Sequence, residues 1–218
     1  MASGVAEMVN LLLSITTTVI LLLYFYLSDH NREPVKRVVE AFLIGMAISL
    51  QINYLQLNFP LFPGVFFQAF VMAGFIEEAI KLIALRLTLF RNPDFTAPSD
   101  GITYAVFLSM GFATIENLVL ITNMEIGIIR AFTATPAHAL FAVSMGYYLG
   151  RYKFDMQDKK LLLLALIIPA LLHGVYNFLI MSGQKWGLVI FLPYMIFLWV
   201  KSTIKINRLN KQRGGEEN

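Results

Sequence analysis

The chain has 218 residues, 57% of them hydrophobic and only 14% charged, with a mean hydropathy of +0.66. Soluble domains carry about 25% charged and about 45–50% apolar residues, so both departures exclude an ordinary soluble fold. The absence of cysteine excludes disulfides and a thiolate nucleophile, and the basic residues behind a sequence pI near 9.1 sit between apolar segments, not in a nucleic-acid-binding stripe.

Taken in chain order, largely apolar stretches near or above about 18–20 residues fall at 8–27, 37–57, 64–89, 101–122, 127–149, 160–181 and 187–206. They are continuously apolar instead of alternating, which predicts helices over a barrel. The first lacks a basic leader and ends in Tyr24-Phe25-Tyr26, so it reads as a retained span, not a signal peptide. The prediction is an all-α polytopic membrane bundle of about seven transmembrane helices by the length criterion. It forms one domain over 1–206 with a basic tail over 207–218.

Basic residues test that division. One set of alternate segments holds Arg32, Lys36 and Arg37, then Arg86 and Arg91, then Arg151, Lys153, Lys159 and Lys160, and finally the tail. The opposite side holds only Arg130 and Lys185, and Lys81 falls within a span. The positive-inside rule then sets the N terminus outside and the C terminus in the cytoplasm. Trp186, Tyr194 and Trp199 are candidate interfacial anchors, with ordinary packing as the alternative.

A carboxylate at the bilayer centre costs at least about 2.5–3.5 kcal/mol, so each one needs a reason. The third span carries Glu77-Glu78-Ala79-Ile80-Lys81. Lys81 stands four residues after Glu77, which predicts it as counter-charge to Glu77 and leaves Glu78 as first choice for a water-activating base. The alternative is a proton shared between the two acids. The fourth span adds Glu116 and Asn117; the fifth, Pro136 and His138; the sixth, Pro169, His173 and Asn177. Pro136 is expected to kink its helix and open space. At 1.5 Å per residue, Glu78, Glu116, His138 and His173 all fall between mid-membrane and the outer half, which predicts one polar cavity.

His30 lies in the charged loop 28–34, where solvation explains it; Asp100 reads as the N-cap of the fourth span, and Arg130 as a snorkelling side chain, with binding of a substrate carboxylate or carbonyl as the alternative. Neither a G-x-S-x-G elbow nor a His-Glu-x-x-His helix is present. Two mechanisms of amide hydrolysis fit. In one, Glu77 or Glu78 activates water, His173 or His138 assists, and Asn177 or Asn117 donates to the oxyanion. In the other, His138 and His173 with Glu78 or Glu116 bind a divalent metal such as zinc. A proton-coupled transporter or a membrane scaffold holding a partner helix are the non-hydrolytic alternatives.

The chain resembles the PrsW-type intramembrane proteases, relatives of the CAAX-prenyl protease and Abi group. The resemblance lies in Glu77-Glu78-Ala79-Ile80-Lys81 and Gly111-Phe112-Ala113-Thr114-Ile115-Glu116-Asn117. It continues in His138-Ala139-Leu140 with Gly146-Tyr147-Tyr148-Leu149-Gly150, and in His173-Gly174-Val175-Tyr176-Asn177. It implies a multi-pass protease of the bacterial plasma membrane, making the first, extracytoplasmic-side cut in a single-span anti-sigma factor. Glu77, Glu78 and His173 match positions regarded as catalytic, Glu116 and His138 match further motif positions, and Asn177 stands where relatives often carry Asp.

Overall fold

The computed structural model describes residues 2–29, 32–58, 64–121, 123–155 and 158–214. All regular structure among them is helical. Helix α1 spans Ala2–Ser28 and α2 Val35–Asn58; a π-helical segment, Phe67–Glu77, runs directly into α3, Glu78–Thr88. There follow α4 (Pro98–Leu120), α5 (Met124–Phe132), α6 (Ala134–Phe154), α7 (Lys159–Met181) and α8 (Lys185–Gly214).

Five helical stretches are long and apolar enough to cross a membrane: Val35–Gln56, Pro98–Leu120, Glu125–Phe154, Lys159–Met181 and Lys185–Lys211. Of the other two expected spans, the first is apolar over Ile15–Ser28. The third, 67–88, changes helix type midway and carries Glu77, Glu78 and Lys81. Large apolar side chains face outward along these helices, among them Ile20, Leu43, Leu50, Leu163, Val189 and Leu192. An apolar exterior with every backbone group satisfied inside a helix is the solution a bilayer demands. This is a multi-pass membrane protein.

Helix α4 is the hub, with 78% of its spanning window buried. It packs mainly against α2 and α6, while the π segment packs against α7. Without a hydrophobic drive between helices in lipid, close approach depends on small residues. A Cβ on Gly111 would run into the Phe42 carbonyl oxygen, and one on Gly45 into that of Leu108. Replacing Gly111 by leucine should therefore destabilise the protein by about 1–3 kcal/mol, as overpacking does. Thermal unfolding in detergent reads this directly, and an unchanged midpoint would show that the α2–α4 contact can yield.

Several local expectations change. Helix α4 starts at Pro98, a favoured first position. Asp100 is its third residue, not its cap, and its carboxylate accepts from Ala97 N–H at 2.7 Å and Thr96 N–H at 2.6 Å. Pro136 sits in the first turn of α6, where proline is tolerated. The break in the expected fifth span falls instead at Thr133, between α5 and α6. Tyr194 donates its hydroxyl to the Leu172 carbonyl, which makes it a packing residue. His30 lies outside the described residues.

The α1–α2 connection is tied to α4 by buried acids. Thr103 donates to Asp29 at 2.8 Å, and Tyr104 donates its hydroxyl to the Glu33 carboxyl. Burial pushes the Glu33 pKa from the ordinary 4.5 up to about 8, with Asp100 and Asp29 adding repulsion and the Tyr104 bond opposing it. The folded protein thus holds a proton there that the unfolded chain releases. Stability from this group is full below pH 4.5 and is lost as pH rises toward 8. Glu33→Gln should flatten that fall in thermal midpoint; an identical pH profile would contradict the assignment.

Candidate active site

Two close helix approaches assemble the site. A Cβ on Gly74 would lie 2.6 Å from the Ala170 carbonyl oxygen and 3.2 Å from Gly174 Cα. These glycines let the π segment touch α7 backbone to backbone, one turn before Glu77 and Glu78 and directly beside His173. A π segment widens the usual ladder and is frequent at functional sites. The second approach lays α6 against α4, where Ser109 donates to the His138 carbonyl at 3.1 Å.

Glu78 lies at the centre and is 1% exposed. Its Oε1 receives Lys81 Nζ at 2.8 Å and faces His173 Nδ1 at 2.9 Å. Lys81 Nζ is 3.9 Å from Glu77 Oε2, too far for a hydrogen bond. The expected pairing of Lys81 with Glu77 is thus reversed: the change from π to α geometry at residues 77–78 turns the i, i+3 partner toward the ammonium. Lys81 also stands 4.0 Å from the Phe112 ring centroid. Glu77 is left with one oxygen, Oε1, at 3.3 Å from Gln56 Nε2, and another, Oε2, buried with no hydrogen-bond partner.

His138 and His173 meet edge to face, ring centroids 5.0 Å apart, and Phe141 stacks on His173 at the same separation. His138 Nε2 lies 2.8 Å from Glu116 Oε2. An ionised carboxylate has no hydrogen to give, so Nε2–H donates and Nδ1 keeps its lone pair. That Nδ1 is buried without a partner. Arg130 holds Glu116 from the other side, with Nη2 at 3.2 Å from Oε2 and Nε donating to Asn117 Oδ1 at 2.8 Å. Arg130 is therefore part of a partly buried network, not a snorkelling side chain. Asn117 donates onward to Thr135 Oγ1 at 2.9 Å. Asn177 is half-buried, one turn beyond His173, and makes no side-chain hydrogen bond among the described residues.

The structure thus brings together Glu77, Glu78, Glu116, His138, His173 and Lys81, drawn from four separate segments of chain. Three acids stand against two basic side chains, Lys81 and Arg130. Glu78, His138 and His173 each offer one ligand atom, all within 4.8 Å of one another and all from buried residues. Two imidazoles with a carboxylate form an ordinary catalytic zinc set. A carboxylate behind the histidine, as Glu116 is behind His138, is the usual support for such a ligand. The orphaned His138 Nδ1 is the atom that most needs a partner. The residues fit a divalent ion.

Comparison with known proteins follows the same line. Residues 33–201 match the model of the PrsW family of intramembrane metalloproteases. The chain belongs to that family. A protein named Protease PrsW from Clostridioides difficile strain 630 is 39% identical, over 83% of this chain and 81% of its own length. The Bacillus subtilis strain 168 Protease PrsW is 37% identical over 82% of this chain and 85% of its own. That of Shouchella clausii is 34% identical over 94% and 99%. No solved structure matches the chain. The resemblance read from the motifs holds, and this PrsW-family chain is a bacterial intramembrane protease. The transporter and scaffold readings are not favoured.

Two supporting residues escape sequence reasoning. Gln56 closes an apolar helix without a motif around it, and a polar residue in a span was its only signal. Thr135 sits among small residues and is noticeable only once Asn117 is beside it.

Proposed function

We propose that this PrsW-family protease hydrolyses a peptide bond of a single-span membrane protein, an anti-sigma factor being the substrate class, and cuts on the extracytoplasmic side. The observation that carries the reading is Glu77 Oε2, a buried carboxylate oxygen without a partner beside the Glu78–His138–His173 cluster. The membrane topology that goes with it has seven spans, the N terminus outside and a cytoplasmic basic tail after a single domain. Segregation of basic residues supports it.

Glu77, not Glu78, takes the proton from water, because Glu78 Oε1 is already engaged by Lys81 and His173. The water oxygen then adds to the scissile carbonyl carbon. Charge developing on the carbonyl oxygen is met by the free Asn177 amide. As the C–N bond breaks, Glu77 returns its proton to the leaving nitrogen. Arg130 and Asn117 keep Glu116 in place, and Glu116 fixes the tautomer of His138. Glu78, His138 and His173 would hold a divalent ion, which supplies Lewis acidity toward water and the carbonyl.

One observation favours a metal-free version: an ammonium 2.8 Å from Glu78 Oε1 already neutralises the best carboxylate ligand. Elemental analysis of purified protein separates the two. About one zinc-class ion per chain, lost in His138→Ala and His173→Ala, supports the metal site; full cleavage of an anti-sigma factor after exhaustive chelation removes it. Equal cleavage of unrelated single-span proteins would overturn the proposed substrate class.

A further inference from the structure

Away from the active site, α3 carries a second organised face. Ile83, Arg86, Leu87, Phe90 and Arg91 follow the i, i+3, i+4, i+7, i+8 spacing of one helix stripe, which continues into the turn after Thr88. With Tyr152 of α6 they line a cavity of about 420 Å³. The Phe90 and Tyr152 rings stack with centroids 5.9 Å apart, and the Arg86 guanidinium lies 5.9 Å from one and 5.7 Å from the other.

Both arginines are exposed, and neither has an ion pair among the described residues. The nearby acids are taken: Asp155 by Arg151 at 2.6 Å, and Asp94 by Arg37 at 2.6 Å. The negative end of the α3 dipole would oppose an anion here. Lys153 offsets it, donating to the Phe90 and Phe95 carbonyls at 2.8 Å each. Two unpaired guanidiniums on an aromatic platform are suited to a phosphate group, which they grip with paired N–H donors.

We propose that this cavity binds the phosphate of an anionic phospholipid, with Arg86 and Arg91 on the headgroup and the acyl chains along Ile83 and Leu87. Ile83, 55% exposed, lies on the Lys81 side of both arginines, toward the bilayer interior, and Leu87, 70% exposed, lies between them. Exposed apolar side chains interleaved with the two arginines on one stripe select a lipid over a soluble phosphate. Basic pockets at a span's end are where such headgroups bind. The site does not rest on the proposed catalytic mechanism or on the orientation of the chain.

The test is binding of phosphatidylglycerol, phosphatidylcholine and soluble glycerol 3-phosphate to the full chain in neutral detergent, followed by native mass spectrometry. Phosphatidylglycerol should bind about thirtyfold more tightly than phosphatidylcholine, on the scale of two basic contacts. Glycerol 3-phosphate should bind more weakly than either. The double variant Arg86→Gln/Arg91→Gln should lose that preference at an unchanged thermal midpoint. If the double variant unfolds, added salt must erase the wild-type preference instead. Equal binding of both lipids, an unaltered preference in the folded double variant or in high salt, or soluble phosphate binding as tightly as lipid would each overturn the proposal.

Discussion

Glu77→Gln should lower the rate of peptide-bond cleavage by about 10²–10⁴-fold, the range general-base catalysis supplies. It should do so without destabilising the fold. The substitution keeps the shape of the side chain and an oxygen for Gln56, and it removes a buried carboxylate oxygen that has no hydrogen-bond partner. The amide NH2 that takes its place is also unpaired but carries no charge, and a buried charge costs more than a buried neutral group, so the variant should unfold at the same temperature or higher. Loss of activity with a gain of stability is the signature of a residue kept for chemistry. Parallel loss of both would instead make Glu77 a structural acid.

Lys81→Met should have the opposite character. The lysine is 1% exposed and lies 2.8 Å from Glu78 Oε1. Removing one member of a buried pair strands the other, a loss of about 3–5 kcal/mol. Here it would also leave Glu77 without its distant cation. The double variant Lys81→Met/Glu78→Gln should recover much of the stability, because no unpaired charge remains at that point. Chemical denaturation in detergent gives all three values of the cycle. Additive losses would mean that the pair does not interact.

How far the site could be read in advance follows from the cost of its parts. Glu77, Glu78, Glu116, His138 and His173 stand out in apolar helices because an ionisable group at membrane depth is expensive, and depth counting brings them to one level. Which acid Lys81 prefers was not legible. At i+3 and i+4 both glutamates are within reach on a regular helix, and the π segment ending at Glu77 decides between them. Likewise the commitments of Asn117 and Arg130 join α4 to α5, and no local pattern announces them. Pro136 was the visible breaker, but the chain breaks at Thr133, which leaves Pro136 in a first turn where its missing N–H costs nothing. The apolar helices were legible as such because bilayer thickness sets their length.

The central claim is that the buried Glu77–Glu78–His138–His173 cluster cuts peptide bonds inside the membrane. Its most direct test is mass-spectrometric mapping of the products after the purified chain is placed in liposomes with a single-span anti-sigma factor. A single cut within or at the border of the substrate's apolar span is predicted, absent in Glu77→Gln and His173→Ala proteins that remain folded at the assay temperature. The same cut surviving in both variants would contradict it.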